Sequence, residues 1–273
     1  LYSAALIVFS SLAGSVESGH KLFLLFLFTS GAVGAYQLVR TYASPSASPI
    51  SSFVAGLYYV FNPWIIFQTK YGHNTILLGY AILPYALALY FSSLRKTRTF
   101  NTVSCGIVSG LLFWASFHLS YLFFALIVFH GIFRILGGEP DLPSKKRWLV
   151  VFTTIVLCSM AMALPLVSHI LRVEIPAFVV RNEEAEYLSG RISPNPIDVL
   201  HTAIGALVLL AAYMHGRKRP QSVYPLVLST IGVLLSLGGL WPLNLLYSLM
   251  FRYFPFFYIF RETSKFLVLS TVG

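Results

Sequence analysis

Charged side chains are scarce in this sequence, at 10% of 273 residues, where a soluble domain carries about 25%. Hydrophobic residues make up 57% and aromatics 16%. A chain of this size cannot hide so much apolar surface in a water-soluble core, so its solvent must be lipid. Cysteine is nearly absent: Cys105 and Cys158 both fall inside apolar segments, where they read as small hydrophobes and say nothing about redox compartment. There is no P-loop, no GxGxxG, no HExxH and no GxSxG elbow, which disfavours ATP-driven and serine-hydrolase chemistry. No internal repeat, low-complexity tract or soluble domain fits between the apolar runs. The net charge of +10 does not point to nucleic acid, because the cations cluster between apolar runs and act as topology signals. The first run lacks a basic leader and a small-residue cleavage site, so it reads as a truncated span rather than a signal peptide. Leu1 and Gly273 both lie within apolar runs, and the chain is expected to be a fragment of a longer one.

A spanning helix needs about 20 mostly apolar residues. Spans are expected near 1–13, 22–39, 50–68, 75–94, 102–117, 119–136, 148–171, 197–214, 223–240 and 265–273. The fold class is therefore an all-α integral membrane protein, a polytopic bundle of about ten spans with the first and last truncated. Residues 1–273 would form one transmembrane domain, with long external loops carrying short interfacial helices. As a single helix, residues 102–136 would reach about 50 Å at 1.5 Å per residue, too long for the hydrocarbon. A break is expected at the polar SFHLS turn around His118. That break puts three basic clusters on one side: Arg95, Lys96, Arg98; Lys145, Lys146, Arg147; and Arg217, Lys218, Arg219. With Arg40 and Arg134, this side holds eleven Lys/Arg against Glu139 and Asp141. Loops 95–101, 137–147 and 215–222 are thus expected to be cytoplasmic, in a multi-pass protein of the plasma membrane. The other side carries loops 14–21, 69–74, 172–196 and 241–264.

Residues 53–94 organise the rest. Two apolar arms, each with a central proline (Pro63 and Pro84), flank the polar elbow TKYGHN. A proline leaves one carbonyl without its helical donor and kinks the helix. In lipid that carbonyl must find a partner within the protein, so both arms are expected to pack against neighbours. Asn62 is expected to bond to a freed carbonyl. The elbow sets Lys70, Tyr71, His73 and Asn74 at a membrane surface. His73 and Asn74 have the chemistry to bond a sugar hydroxyl or a phosphate oxygen, against the plainer reading of a hydrated turn in which Gly72 permits the tight backbone. A lone histidine makes a poor metal site.

The stretch LYSLMFRYFPFFYIFRETSKF is dense in aromatics, which belong at the interface. If helical, Arg261 and Lys265 share a face. Together they would clamp a phosphate, arginine as a fork and lysine as a point charge. Glu262 would orient a partner or balance Arg261. The plainer reading is a snorkelling helix anchor. Glu183, Glu184, Glu186 and Asp198 read as a solvated loop helix rather than a base or cation site. His118, His130 and His169 lie near span ends, where interfacial packing is their default role.

LYYVFNPWIIFQTKYGHNTILLGYAILPYALALY, preceded by KLFLLFLFTSGAVGAYQLVR, resembles the core of polytopic membrane glycosyltransferases of the GT-C superfamily. The nearest flavour is the archaeal and bacterial proteins similar to arabinofuranosyltransferases, some labelled as related to 6-pyruvoyl-tetrahydropterin synthase. FRETSKF is similar to the FR-x-x-x-[KR]-F signature of a late external loop in such proteins. The resemblance implies sugar transfer outside the cytoplasm from a polyprenyl-phosphate-linked donor, with membrane lipid as the other partner and a divalent cation possible. It also implies an acid in the first external loop as base or metal ligand. Glu17 is the acid available in loop 14–21 and does not match that motif, so the catalytic acid is expected upstream. No residue here is assigned to catalysis or metal binding. The alternatives are a lipid or sugar transporter or flippase, and a non-catalytic membrane subunit of cell-surface polymer assembly.

Overall fold

The computed structural model describes residues 1–42, 48–95, 99–137, 145–172 and 223–236, with 245, 249, 250 and 253. Among these residues the secondary structure is helical, with no strand. In chain order the helices are α1 (Tyr2–Ala13), α2 (Val16–Tyr42), α3 (Pro49–Phe61), α4 (Pro63–Lys70), α5 (Asn74–Arg95), α6 (Thr99–Ala115), α7 (Phe117–Gly137), α8 (Lys145–Arg172) and α9 (Val223–Ser236). Four stretches are long and apolar enough to cross a membrane: Val16–Tyr42, Pro49–Lys70, Asn74–Arg95 and Lys146–Pro165, of 27, 22, 22 and 20 residues. Tyr2–Ala13, Thr99–Ala115 and Phe117–Ile132 are apolar but shorter. The expected spans 197–214 and 265–273 lie outside the described residues.

Polar residues shape the helix ends rather than forming loops. The expected loop 14–21 is mostly helix. Gly14 turns the chain at φ 75°, and Ser15 Oγ then caps α2 by accepting the Ser18 N–H at 3.1 Å. Glu17 sits in the first turn, where the helix dipole favours an anion, and accepts a hydrogen bond from Lys21 at 2.5 Å. Ser48 likewise caps α3, accepting the Ser51 N–H at 3.0 Å, and Pro49 takes the first helical position, where its missing N–H costs nothing.

The chain divides into two compact units, residues 1–60 with 68–169, and residues 61–67 with 170–273. In the second, Asn62 Oδ1 accepts the Ile65 N–H at 3.1 Å, which makes it the N-cap of α4 with Pro63 following. The side chain thus starts a new helix, and the run of helix is interrupted at Asn62.

In the first unit, two tyrosines exchange hydrogen bonds to carbonyls that prolines leave without a helical donor. Pro63 offers no N–H to the carbonyl of Tyr59, and Pro84 none to that of Tyr80. Tyr80 Oη donates to the Tyr59 carbonyl and Tyr59 Oη to the Tyr80 carbonyl, both at 2.8 Å. The two rings stack at 4.0 Å and 11°, 2% and 3% exposed. The expectation that the arms pack against neighbours holds for α5, which lies against α2 and α6, and the tyrosine pair joins it to α3. On the far side of α5, Tyr85 Oη donates to the Ser30 carbonyl of α2 at 2.8 Å. Close approach there needs Gly34, since a Cβ would lie 2.8 Å from the Pro84 ring and 2.7 Å from that of Tyr85.

The long run 102–136 breaks at Ser116, inside the SFHLS turn. Cys105 Sγ donates to the Ala86 carbonyl at 3.4 Å, and a Cβ on Gly79 would meet Ser116 and Leu119. Farther along, Tyr90 bonds His130. α6 thus runs against α5 and α7 runs back along it, which is the expected hairpin, made two residues before His118. α8 lies on α6 through the GxxxG pair Gly106 and Gly110, where an added Cβ would come within 2.3 Å of Cys158 and 2.4 Å of Met162. Ser109 and Ser159 hydroxyls bond across this contact, and Trp114 Nε1 donates to the Met162 carbonyl at 2.8 Å.

Candidate functional site

The elbow is built by a change of helix direction in three residues. α4 ends at Lys70, and the Gly72 N–H donates to the Thr69 carbonyl at 3.1 Å. Gly72 takes φ 69°, a conformation that costs a residue with a Cβ about 1–2 kcal/mol. The chain then turns far enough for the His73 N–H to donate to the Gln68 carbonyl at 3.0 Å. α5 starts at Asn74.

Five side chains from three segments meet here. His73 Nδ1 bonds Gln68 Oε1. Asn74 Nδ2 donates to Tyr2 Oη at 3.0 Å, and Asn74 Oδ1 pairs with His20 Nε2 at 3.4 Å. Asn74 therefore ties the start of α5 to both α1 and α2. Gln68 is 1% exposed, while Tyr71 is 56% exposed. Lys70 Nζ lies 5.8 Å from the Tyr71 ring centroid, a distance at which a cation feels the ring's negative face. The cluster offers hydrogen-bond donors and acceptors at the end of an apolar bundle, an arrangement suited to a polar headgroup or a sugar.

The expected site residues divide cleanly. His73 and Asn74 are at this elbow. Arg261, Glu262 and Lys265 lie outside the described residues, as do Glu183, Glu184, Glu186 and Asp198. Tyr2, His20 and Gln68 were not singled out from sequence, although a Gln five residues before a His across a glycine turn is a readable signal. Glu17 is exposed and paired with Lys21, with side chains 79% and 72% exposed. Among the described residues no three His, Cys, Asp or Glu gather closely enough to hold a metal ion.

The other end of this unit has its own polar set. Trp148 Nε1 donates to Tyr90 Oη at 3.1 Å, and Tyr90 Oη bonds His130 Nδ1 at 2.7 Å. His130 is buried and packs between helices. Arg95 donates through both guanidinium nitrogens to the Thr41 and Tyr42 carbonyls, and Arg147 donates to the Ser93 carbonyl at 3.1 Å. These cations satisfy carbonyls that helix C-termini leave open.

No family model matches the chain, and no curated protein or solved structure matches it.

Proposed function

We propose that this chain is part of a membrane glycosyltransferase moving a sugar from a polyprenyl-phosphate-linked donor to an acceptor outside the cytoplasm. The observation that carries this reading is the co-occurrence of the FNP…GHN elbow and the FRETSKF segment in one sequence, the two stretches that resemble GT-C enzymes. The hydrogen-bonding side chains gathered at the elbow support it. Loops 95–101, 137–147 and 215–222 face the cytoplasm, while the elbow and residues 261–265 face the opposite side. Arg261 and Lys265 neutralise the departing lipid phosphate with Glu262 beside them, and an external acid deprotonates the acceptor. No step is assigned to a divalent cation.

The full-length protein in proteoliposomes, given a polyprenyl-phosphate sugar and an acceptor, tests this. Arg261→Ala should lower transfer about 100-fold or more, the scale of losing a group aimed at developing charge, while the protein still folds and inserts. Unchanged turnover removes the clamp. The helix broken at Asn62 favours a second reading, a transporter or flippase, since such proteins use discontinuous helices. Movement of lipid or sugar across the same vesicles without a glycosidic product selects that reading.

A further inference from the structure

We infer that the elbow is a hydroxyl subsite rather than a phosphate subsite: His73 accepts a hydrogen bond from a sugar hydroxyl through Nε2, and Gln68 fixes the ring in the form that makes this possible. The inference rests on the reading that the chain handles a lipid-linked sugar and specifies which part of that ligand the elbow meets.

Gln68 Oε1 is an amide oxygen and carries no proton, so in its bond with His73 Nδ1 the imidazole is the donor. A neutral ring protonated at Nδ1 presents a lone pair at Nε2. That nitrogen has no partner among the described residues. The ring cannot readily swing away, because the same two residues are also joined by the His73 N–H to the Gln68 carbonyl at 3.0 Å. Gln68 itself is 1% exposed, so its amide is a fixed reference against which the part-buried imidazole is set. A lone pair suits an O–H donor and opposes an ionised phosphate, which offers only acceptors. Tyr71, whose ring centroid lies 6.4 Å from that of His73, adds an exposed apolar face beside the acceptor, suited to the C–H face of a sugar. Lys70 Nζ lies over that ring. In this scheme Gln68 is a positioning residue, and His73 is the group that touches the ligand.

The test uses the full-length protein, labelled with ¹⁵N-histidine, in lipid nanodiscs, in mildly alkaline buffer where imidazole is neutral. His73→Phe assigns the signal. The wild type should show His73 protonated at Nδ1 and bare at Nε2. Methyl glycosides of common hexoses and pentoses should shift the Nε2 signal, and inorganic phosphate should not. Gln68→Glu keeps an acceptor at the same place, so it should retain the tautomer. Gln68→Leu should mix the two tautomers and weaken the glycoside response, with the remaining histidine signals unmoved as evidence that the fold survives. Protonation at Nε2 in the wild type, a response to phosphate but not to glycosides, or no response to either overturns the inference. Unchanged transfer in the Arg261→Ala variant with the glycoside response intact would count against the clamp alone, so the two failures are separable.

Discussion

At the scale of single residues, the crossed tyrosine pair makes a claim that few other arrangements would make. If Tyr59 Oη serves the carbonyl that Pro84 leaves open, the cost of losing that hydroxyl must depend on Pro84. Tyr59→Phe should destabilise by about 1–3 kcal/mol, the cost of a buried acceptor without a partner. In a Pro84→Ala background the helix supplies its own N–H to the Tyr80 carbonyl, and the same substitution should be close to neutral. Tyr80→Phe should show the matching dependence on Pro63→Ala, because Tyr80 Oη bonds the Tyr59 carbonyl. Unfolding in detergent, analysed as two double-mutant cycles, checks both; equal costs in both backgrounds would mean the hydroxyls do not serve the freed carbonyls. The sequence states this spacing openly, as Tyr-x-x-x-Pro at 59–63 and again at 80–84. It does not state that the two would be exchanged between helices, because a freed carbonyl names the need and not the donor.

At the scale of elements, small residues let the described helices approach closely where polar side chains then bond across the contact. α6 meets α8 across Gly106 and Gly110, a small-xxx-small spacing that lets backbones approach closely in lipid. Gly106→Val should destabilise by about 1–3 kcal/mol or more through overpacking, because its Cβ would fall 2.3 Å from that of Cys158. Gly72→Ala should cost only the backbone strain of its left-handed φ, since nothing lies within 4 Å of an added Cβ. Thermal unfolding of the two variants side by side separates crowding from strain; a Gly106 variant as stable as the Gly72 one would dismiss the close contact. Apolar length and the prolines made the helices legible, and the need to halve a run of 35 residues made the turn near Ser116 legible. Helix starts were less so. Residues 14–21 look like a loop by composition, yet Ser15 and Glu17 stabilise the first turn of a helix instead of preventing it. Asn62 has a role that its sequence did not announce: a short polar side chain before a proline starts a helix.

At the scale of the whole molecule, sidedness is the property on which the proposed function turns. The basic clusters predict it from charge alone, and Arg95 and Arg147 also close the C-terminal ends of α2 and α5. In a background with Cys105 and Cys158 replaced by alanine, Lys70→Cys should react with a membrane-impermeant maleimide in intact cells. Lys218→Cys should react only after the membrane is opened. Both reacting from the same side would remove the assigned orientation and, with it, the elbow from the donor's side. The elbow was legible as a polar interruption, but its inner partners were not. His20 and Tyr2 reach Asn74 from 54 and 72 residues away, and no local pattern encodes which distant turn a side chain will meet. The stacked tyrosines also carry a consequence for biosynthesis. The carbonyl of Tyr59 receives its donor from a residue made 21 positions later, so α3 entering the bilayer first would expose an unanswered dipole to acyl chains. We therefore expect α3 to settle only once α5 is made, with the two helices partitioning into lipid as a pair.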